Sequence, residues 1–220
     1  YDIMCAPDAL TKLDIRFEGN AELEASAASR CGGLYPVRVS ILFPAPFAAL
    51  RQRLCHGGDE AFVASLWKSM PFDGGKGGKS GATFHKTECG RYLIKQVRES
   101  ELWAFHDHAV AYFAFVRNTP ALLPSVLVKV LGAFYREFKD RERKTTYRQH
   151  ILVQENLFFG HNVMRMCDLK GARRNRGGED DSDTVLDENL FRFNEGYPLL
   201  LSEVAKQQLT RALWNDTLFL

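Results

Sequence analysis

Five of the nine residues from 73 to 81 (DGGKGGKSG) are glycine, and no other stretch of the 220-residue chain restricts its fold as severely. Glycine loses more conformational freedom on ordering than any other residue and brings no side chain to pack, which excludes the stretch from a helix or strand interior. It must be a loop, and its flanks decide what it joins. Residues 82–87 and 91–97 both alternate apolar and polar side chains about a Glu88-Cys89-Gly90 turn, which predicts an antiparallel hairpin. Lys76 and Lys79 stand among the glycines. Uncovered backbone N–H groups with positive charge beside them suit a phosphate.

Three loop architectures hold phosphates in this way. The P-loop needs Gly, four residues, then Gly-Lys-Ser/Thr before a helix. Gly78-Lys79-Ser80 fits its end, but Asp73 stands where the first glycine belongs and a strand pattern follows. The dinucleotide pattern GxGxxG finds Gly75 and Gly77 but Ser80 in its last position, again without the helix. The third architecture puts the glycines at a strand–turn–strand tip and a lysine on the next strand. Lys95 meets that requirement. A two-residue period puts it on the same face as Leu93 and Val97, where an ammonium is costly unless it meets an anion. Its alternative is a lysine that snorkels from a strand end. Glu101 and Glu99, at the start of the next helical pattern, are the carboxylates placed to orient it.

A second basic site follows. Arg165, Lys170, Arg173, Arg174 and Arg176 fall within twelve positions around Gly171, and Arg forks with a lysine point charge suit a phosphomonoester. The plain alternative is a solvated loop neutralised by Glu179, Asp180, Asp181 and Asp183. With 29 Lys and Arg against 27 Asp and Glu the net charge is only +2, so no broad basic field points to nucleic acid. Cys5, Cys31, Cys55, Cys89 and Cys167 lack metal or disulfide spacing and read as free thiols. The histidines form no metal set, His106 and His108 reading as surface or packing residues, and no metal ligand is assigned. The apolar stretch 122–138 is interrupted by Pro124, Lys129 and Arg136, which falls short of a membrane span. No leader opens the chain, and both ends read as cut from something longer.

Apolar residues make up 45% of the chain, enough for one sizeable domain or two small lobes. Strands are expected at 13–17 and 37–43 as an antiparallel pair, and at 126–138 and 150–157 about a charged loop at 139–149. A loop with a short helix is expected within 21–33. Helices are expected at 47–55, with Phe47, Leu50 and Leu54 on one face, and at 59–69, with Phe62, Leu66 and Met70 aligned and Pro71 ending it. Another is expected at 101–116, closed by Asn118 and Pro120. Residues 168–183 read as a loop and 202–220 as a helix with Val204, Leu209, Leu213 and Phe219 inward.

These residues resemble a known family, the phosphatidylinositol phosphate kinases. The family's glycine loop is similar to residues 77–84 (GGKSGATF), its lysine strand to 91–95 (RYLIK), a further strand to 129–135 (KVLGAFY) and its hinge to 153–157 (VQENL). Its Asp-Leu-Lys-Gly-Ser motif, with an Arg eight positions after the Asp, matches Asp168-Leu169-Lys170-Gly171-Ala172 and Arg176, Ala172 replacing the usual Ser. Residues 47–66, 94–97, 185–190 and 214–220 are closer to the PIKfyve-type branch, which phosphorylates phosphatidylinositol 3-phosphate on its 5-hydroxyl.

The resemblance implies an α+β, two-lobed lipid-kinase fold: an antiparallel N-lobe sheet with flanking helices over residues 1–157, then an incomplete C-lobe over 158–220. It implies ATP and Mg²⁺ as cofactors. Gly77, Gly78, Lys79, Ser80 and Gly81 would cover the nucleotide phosphates, Lys95 with Glu101 would hold them, and Glu155, Asn156 and Leu157 would form the adenine hinge. Lys170, as the catalytic and substrate-binding lysine, with Arg174 and Arg176, would neutralise the lipid headgroup phosphate. The family's later catalytic Asp, magnesium ligand and lipid-selecting loop do not occur in the 220 residues, so the chain alone is expected to be inactive. A phosphatidylinositol 4-phosphate 5-kinase and a non-catalytic nucleotide- or phosphoinositide-binding module are the alternatives. Expected partners are a phosphoinositide headgroup, a peripheral membrane surface and scaffold proteins, with no nucleic acid; the expected location is cytoplasmic, on endosomal or vacuolar membranes.

Overall fold

The computed structural model describes residues 12–17, 37–72, 83–122, 124–140, 144–164, 166–171, 177, 184–193, 195–197 and 200–220. The short helix expected within 21–33 lies outside them. In chain order the strands are β1 (Lys12–Phe17), β2 (Val37–Leu42), β3 (Ser69–Pro71), β4 (Phe84–Thr87), β5 (Tyr92–Val97), β6 (Val130–Asp140), β7 (Thr145–Glu155), β8 (Met166–Asp168) and β9 (Thr184–Leu186). The helices are α1 (Pro44–Leu54), α2 (Gly58–Leu66), α3 (Glu99–Leu122), α4 (Asp187–Phe193) and α5 (Glu203–Phe219). Strands β1 to β7 form one antiparallel sheet in the order β1-β2-β6-β7-β5-β4-β3, and β8 and β9 make a separate parallel pair. The architecture is α+β, as the family resemblance implies.

The sheet is laid down by hairpins. Strands β6 and β7 pair over most of their length, Gly132 opposite Val153 and Asp140 opposite Thr145, so the charged stretch expected as a loop at 139–149 is largely strand. Lys139 and Asp140 extend β6 and Thr145 to Gln149 extend β7, because the ladder hydrogen bonds of the backbone outweigh the polarity of the stretch.

Helices α1 and α3 cover the sheet through aromatic contacts. Phe47 meets Phe113 edge-on at 4.9 Å and stacks near Phe105 at 6.0 Å, while Phe43 meets Phe113 at 5.8 Å. Phe47, Leu50, Phe62 and Leu102 are completely enclosed, each such side chain contributing roughly 1.5–3 kcal/mol of burial. Phe43 takes a left-handed conformation (φ 49°) where β2 turns into α1, which swings its ring into this core. Tyr112 binds β6 at its first residue: its hydroxyl donates to the Val130 carbonyl and accepts from the Val130 N–H.

Four expectations are corrected. The buried face of α1 is Phe47, Leu50 and Arg51, not Leu54, which is 36% exposed. Arg51 goes inside because its guanidinium finds partners there: Nε donates to Asp59 at 2.6 Å, Nη1 to the Leu131 carbonyl at 2.8 Å, and the group lies over the Phe62 ring. Helix α2 ends at Leu66 rather than Ser69, because residues 69–71 are recruited as an edge strand against β4, where Pro71 costs no ladder bond. Met70 is therefore exposed. Helix α3 runs past Asn118 and Pro120 to Leu122, held by Val116 in the core and by Phe115 stacked on Phe219 at 4.3 Å. On α5 only Phe219 of the four expected residues turns inward, with Ala212 and Asp216. Val204, Leu209 and Leu213 are exposed. The reason is polar: Asp216 Oδ2 accepts from the Val126 N–H at 2.8 Å and Asn215 Nδ2 donates to the Pro124 carbonyl at 3.1 Å, which fixes the helix's rotation.

Arg51→Met keeps the apolar stem but strands the Leu131 carbonyl, so it should cost about 2 kcal/mol. At this chain length that corresponds to a fall of roughly 4–8 °C in Tm by calorimetry.

Candidate active site

Lys95 sits near the end of β5, directly opposite Phe84 of β4 and Leu152 of β7. The pleat puts it between buried Leu93 and Val97, and it is itself half-buried. No ion pair engages its ammonium among the described residues. Glu101 comes nearest to the orienting carboxylate. Its Oε2 accepts from the Arg98 backbone N–H at 2.9 Å and from Arg98 Nε at 3.2 Å. The hydrogen bond from the Arg98 backbone N–H, which outweighs the opposing desolvation, holds the Glu101 carboxyl below the ordinary carboxylate range, with smaller help from the Arg98 side chain and the charge of Lys95. Glu99 points elsewhere, lining a cavity of about 340 Å³ with Leu42, Trp103, Tyr135 and Arg148.

The glycine residues Gly77, Gly78 and Gly81, with Lys79 and Ser80, lie outside the described residues. Both ends of their loop are described. Phe72 N–H donates to the Phe84 carbonyl at 2.8 Å and Gln96 N–H to the Thr83 carbonyl at 3.0 Å. Residues 73–82 therefore connect two paired strands, β3 and β4, and β5 with Lys95 is the next strand across. The turn that leads to it uses Gly90 at φ 73°, a conformation few other residues adopt.

The expected hinge is held by its own polar groups. Asn156 N–H donates to the Arg91 carbonyl at 2.8 Å, and Asn156 Nδ2 donates to the Gly90 carbonyl at 2.7 Å, tying the end of β7 to the β4–β5 turn. Glu155 Oε1 accepts from the Lys129 N–H at 2.7 Å. Leu157 is exposed. Of these three residues, Glu155 pairs with Tyr92 of the strand that carries Lys95 and Asn156 is bonded to the turn leading into it, neither of which the sequence reading shows.

Lys170 lies just beyond β8. Its Nζ donates to Asp168 Oδ1 at 2.9 Å and its side chain is 62% exposed. Arg174, Arg176, Arg165 and Arg173 lie outside the described residues. The parallel pairing of β8 with β9 sets Asp168 opposite Leu186. Asp187, which follows, received no role from the sequence, yet Oδ1 accepts from the backbone N–H groups of both Lys170 and Gly171. The only sequence signal was an acid opening a short helical run, and nothing in that pattern names its distant partner.

A glycine-rich connection between paired strands, an inward lysine on the next strand and a fastened end of β7 thus occur in one chain. Residues 68–220 match the family model described as phosphatidylinositol-4-phosphate 5-kinase. The chain belongs to this family. Among its relatives, the 1-phosphatidylinositol 3-phosphate 5-kinase of Homo sapiens is 34% identical over 187 residues, covering 82% of this chain and 9% of the relative. The FAB1B 1-phosphatidylinositol-3-phosphate 5-kinase of Arabidopsis thaliana is 36% identical, covering 83% and 10%. The FAB1 enzyme of Saccharomyces cerevisiae is 34% identical, covering 86% and 8%. The chain spans about a tenth of the length of these relatives. Among the described residues no helix is long and apolar enough to cross a membrane.

The lowered Glu101 carboxyl carries a sign. Stability from its contacts is fully present above the ordinary Glu value of 4.5 and is lost as pH falls through the lowered midpoint. A carboxyl-carbon NMR titration of Glu101 should find that midpoint below 4.5; one at or above it contradicts the Arg98 contacts.

Proposed function

We propose that this chain contributes the nucleotide-gripping lobe (residues 1–157) and the start of the substrate lobe (158–220) of an ATP-dependent kinase acting on phosphatidylinositol 3-phosphate at its 5-hydroxyl. The observation that carries the reading is Lys95, an ammonium half-buried between Leu93 and Val97, next to a glycine-rich strand connection and with no ion pair among the described residues. Desolvating an unpaired charge is unfavourable, and nucleotide phosphates would satisfy it. The names of the relatives support the 3-phosphate lipid as substrate.

ATP, when bound, supplies the γ-phosphoryl group. Lys95 would hold its phosphates, with Glu101 limiting the ammonium's swing through its nearby charge. Gly77 to Gly81 would cover the phosphates with backbone N–H groups, and the segment Glu155, Asn156, Leu157 would face the adenine. Phosphoryl transfer depends chiefly on such positioning and charge neutralisation. Lys170, Arg174 and Arg176 would neutralise the headgroup phosphate at a peripheral membrane surface, that of endosomal or vacuolar membranes. Magnesium finds no comparable match: among the described residues no three His, Cys, Asp or Glu side chains cluster as metal ligands, and no step is assigned to it.

In the full-length protein, Lys95→Met should lower lipid phosphorylation by about 100-fold or more. The assay uses vesicles carrying phosphatidylinositol, its 3-phosphate or its 4-phosphate, with the 3-phosphate the preferred acceptor. Undiminished turnover in the variant overturns the role of Lys95. Preference for the 4-phosphate overturns the substrate, and binding without turnover by the parent makes the protein a binding module.

A further inference from the structure

The chain just after β8 is fastened to the start of α4, and residue 177, further along, lies against the same helix with no bond to it among the described residues. Asp187 Oδ1 accepts from the N–H of Lys170 at 2.9 Å and of Gly171 at 2.8 Å, partners 17 and 16 residues apart in the chain. Gly177 comes so close to the helix that a Cβ there would stand 2.6 Å from Glu188 Oε2. Between these two points lie Arg173, Arg174 and Arg176. Gly171 adopts φ 72°, so the turn held by Asp187 is one that a side chain would strain.

Backbone and side chain of Lys170 are held by different carboxylates. Asp187 holds the amide, in hydrogen bonds to a charged acceptor that are stronger than neutral ones. Asp168 holds the ammonium, in an ion pair whose lysine side is 62% exposed. Exposed pairs of this kind are weak and yield readily to a competing anion. An arriving phosphate can therefore take the Lys170 ammonium from Asp168 while the turn beneath it stays in place.

We propose that Asp187 is a positioning residue for the substrate phosphate: by gathering the amides of Lys170 and Gly171 it presets the turn from which Lys170 reaches the headgroup. The proposal rests on the reading of Lys170 and Arg176 as headgroup ligands. It differs from a purely structural role, because a structural anchor would affect ATP and lipid alike.

Two measurements on the full-length protein test it. In Asp187→Ala, KM for vesicles carrying phosphatidylinositol 3-phosphate should rise about tenfold, the loss expected for charge-assisted bonds to one turn, while KM for ATP stays within about twofold. Asp187→Asn keeps an acceptor oxygen without its charge and should fall between parent and alanine variant. Amide exchange at Lys170 and Gly171 should quicken about tenfold in Asp187→Ala, with exchange at Val153 in the central sheet unchanged as the check on folding. Unaltered exchange at both amides, an equal rise in both KM values, or an asparagine variant no better than alanine overturns the proposal. Lys170→Ala separates this from a failure of the functional reading. If that variant keeps the parental lipid KM while exchange still depends on Asp187, the headgroup assignment fails and the substrate role of Asp187 falls with it. If Lys170→Ala raises the lipid KM and Asp187→Ala does not, the headgroup assignment stands and the positioning role is overturned.

Discussion

The ladder that holds β5 between β4 and β7 governs what this molecule can do. Phe84 and Leu152 stand directly across from Lys95, so a slip of one residue on either side would turn the lysine to the opposite face. Several independent bonds pin that register. Tyr92 pairs with Glu155 at one end and Val97 with His150 at the other. Thr87 Oγ1 donates to the Tyr92 carbonyl and accepts from its N–H, and Asn156 clasps the turn at Gly90. An ammonium on a largely apolar face is tolerable only because all these contacts leave the strand no alternative.

The supports behind that strand are polar groups used as fasteners within an apolar core. Arg51 joins α1, α2 and the irregular start of β6 through Asp59, Phe62 and the Leu131 carbonyl. Tyr112 joins α3 to Val130 with both a donated and an accepted bond, and burial pushes its phenol well above the ordinary tyrosine range. Asp216 and Asn215 join α5 to residues 124–126. Each satisfies backbone groups where the chain leaves a regular element, the places at which a sheet and helices alone would leave donors and acceptors unpaired.

Much of the frame was legible in advance because it follows local periods. The strands about Gly90, the helix expected at 101–116 and the face of Phe47 and Leu50 on α1 all come from spacings of two or about 3.6 residues. The inward lysine was legible for the same reason. Periodicity misled where a polar group was worth more inside than an apolar one. Arg51 displaced Leu54, and Asp216 with Asn215 set α5 so that Leu209 and Leu213 face outward. In each instance the deciding partner is distant in the chain.

By itself, then, the sequence determined the alternation that makes the sheet, the glycine-rich connection that could be nothing but a loop, and the side of β5 from which Lys95 projects, because these depend on neighbours a few residues away. Only the tertiary structure decided which carboxylates serve which cations: Glu101 bound to Arg98 within the field of Lys95, Asp168 on the ammonium of Lys170, and Asp187 on its amide. Hydrogen bonds and ion pairs act over a few ångströms, and chain folding alone sets which groups come that close.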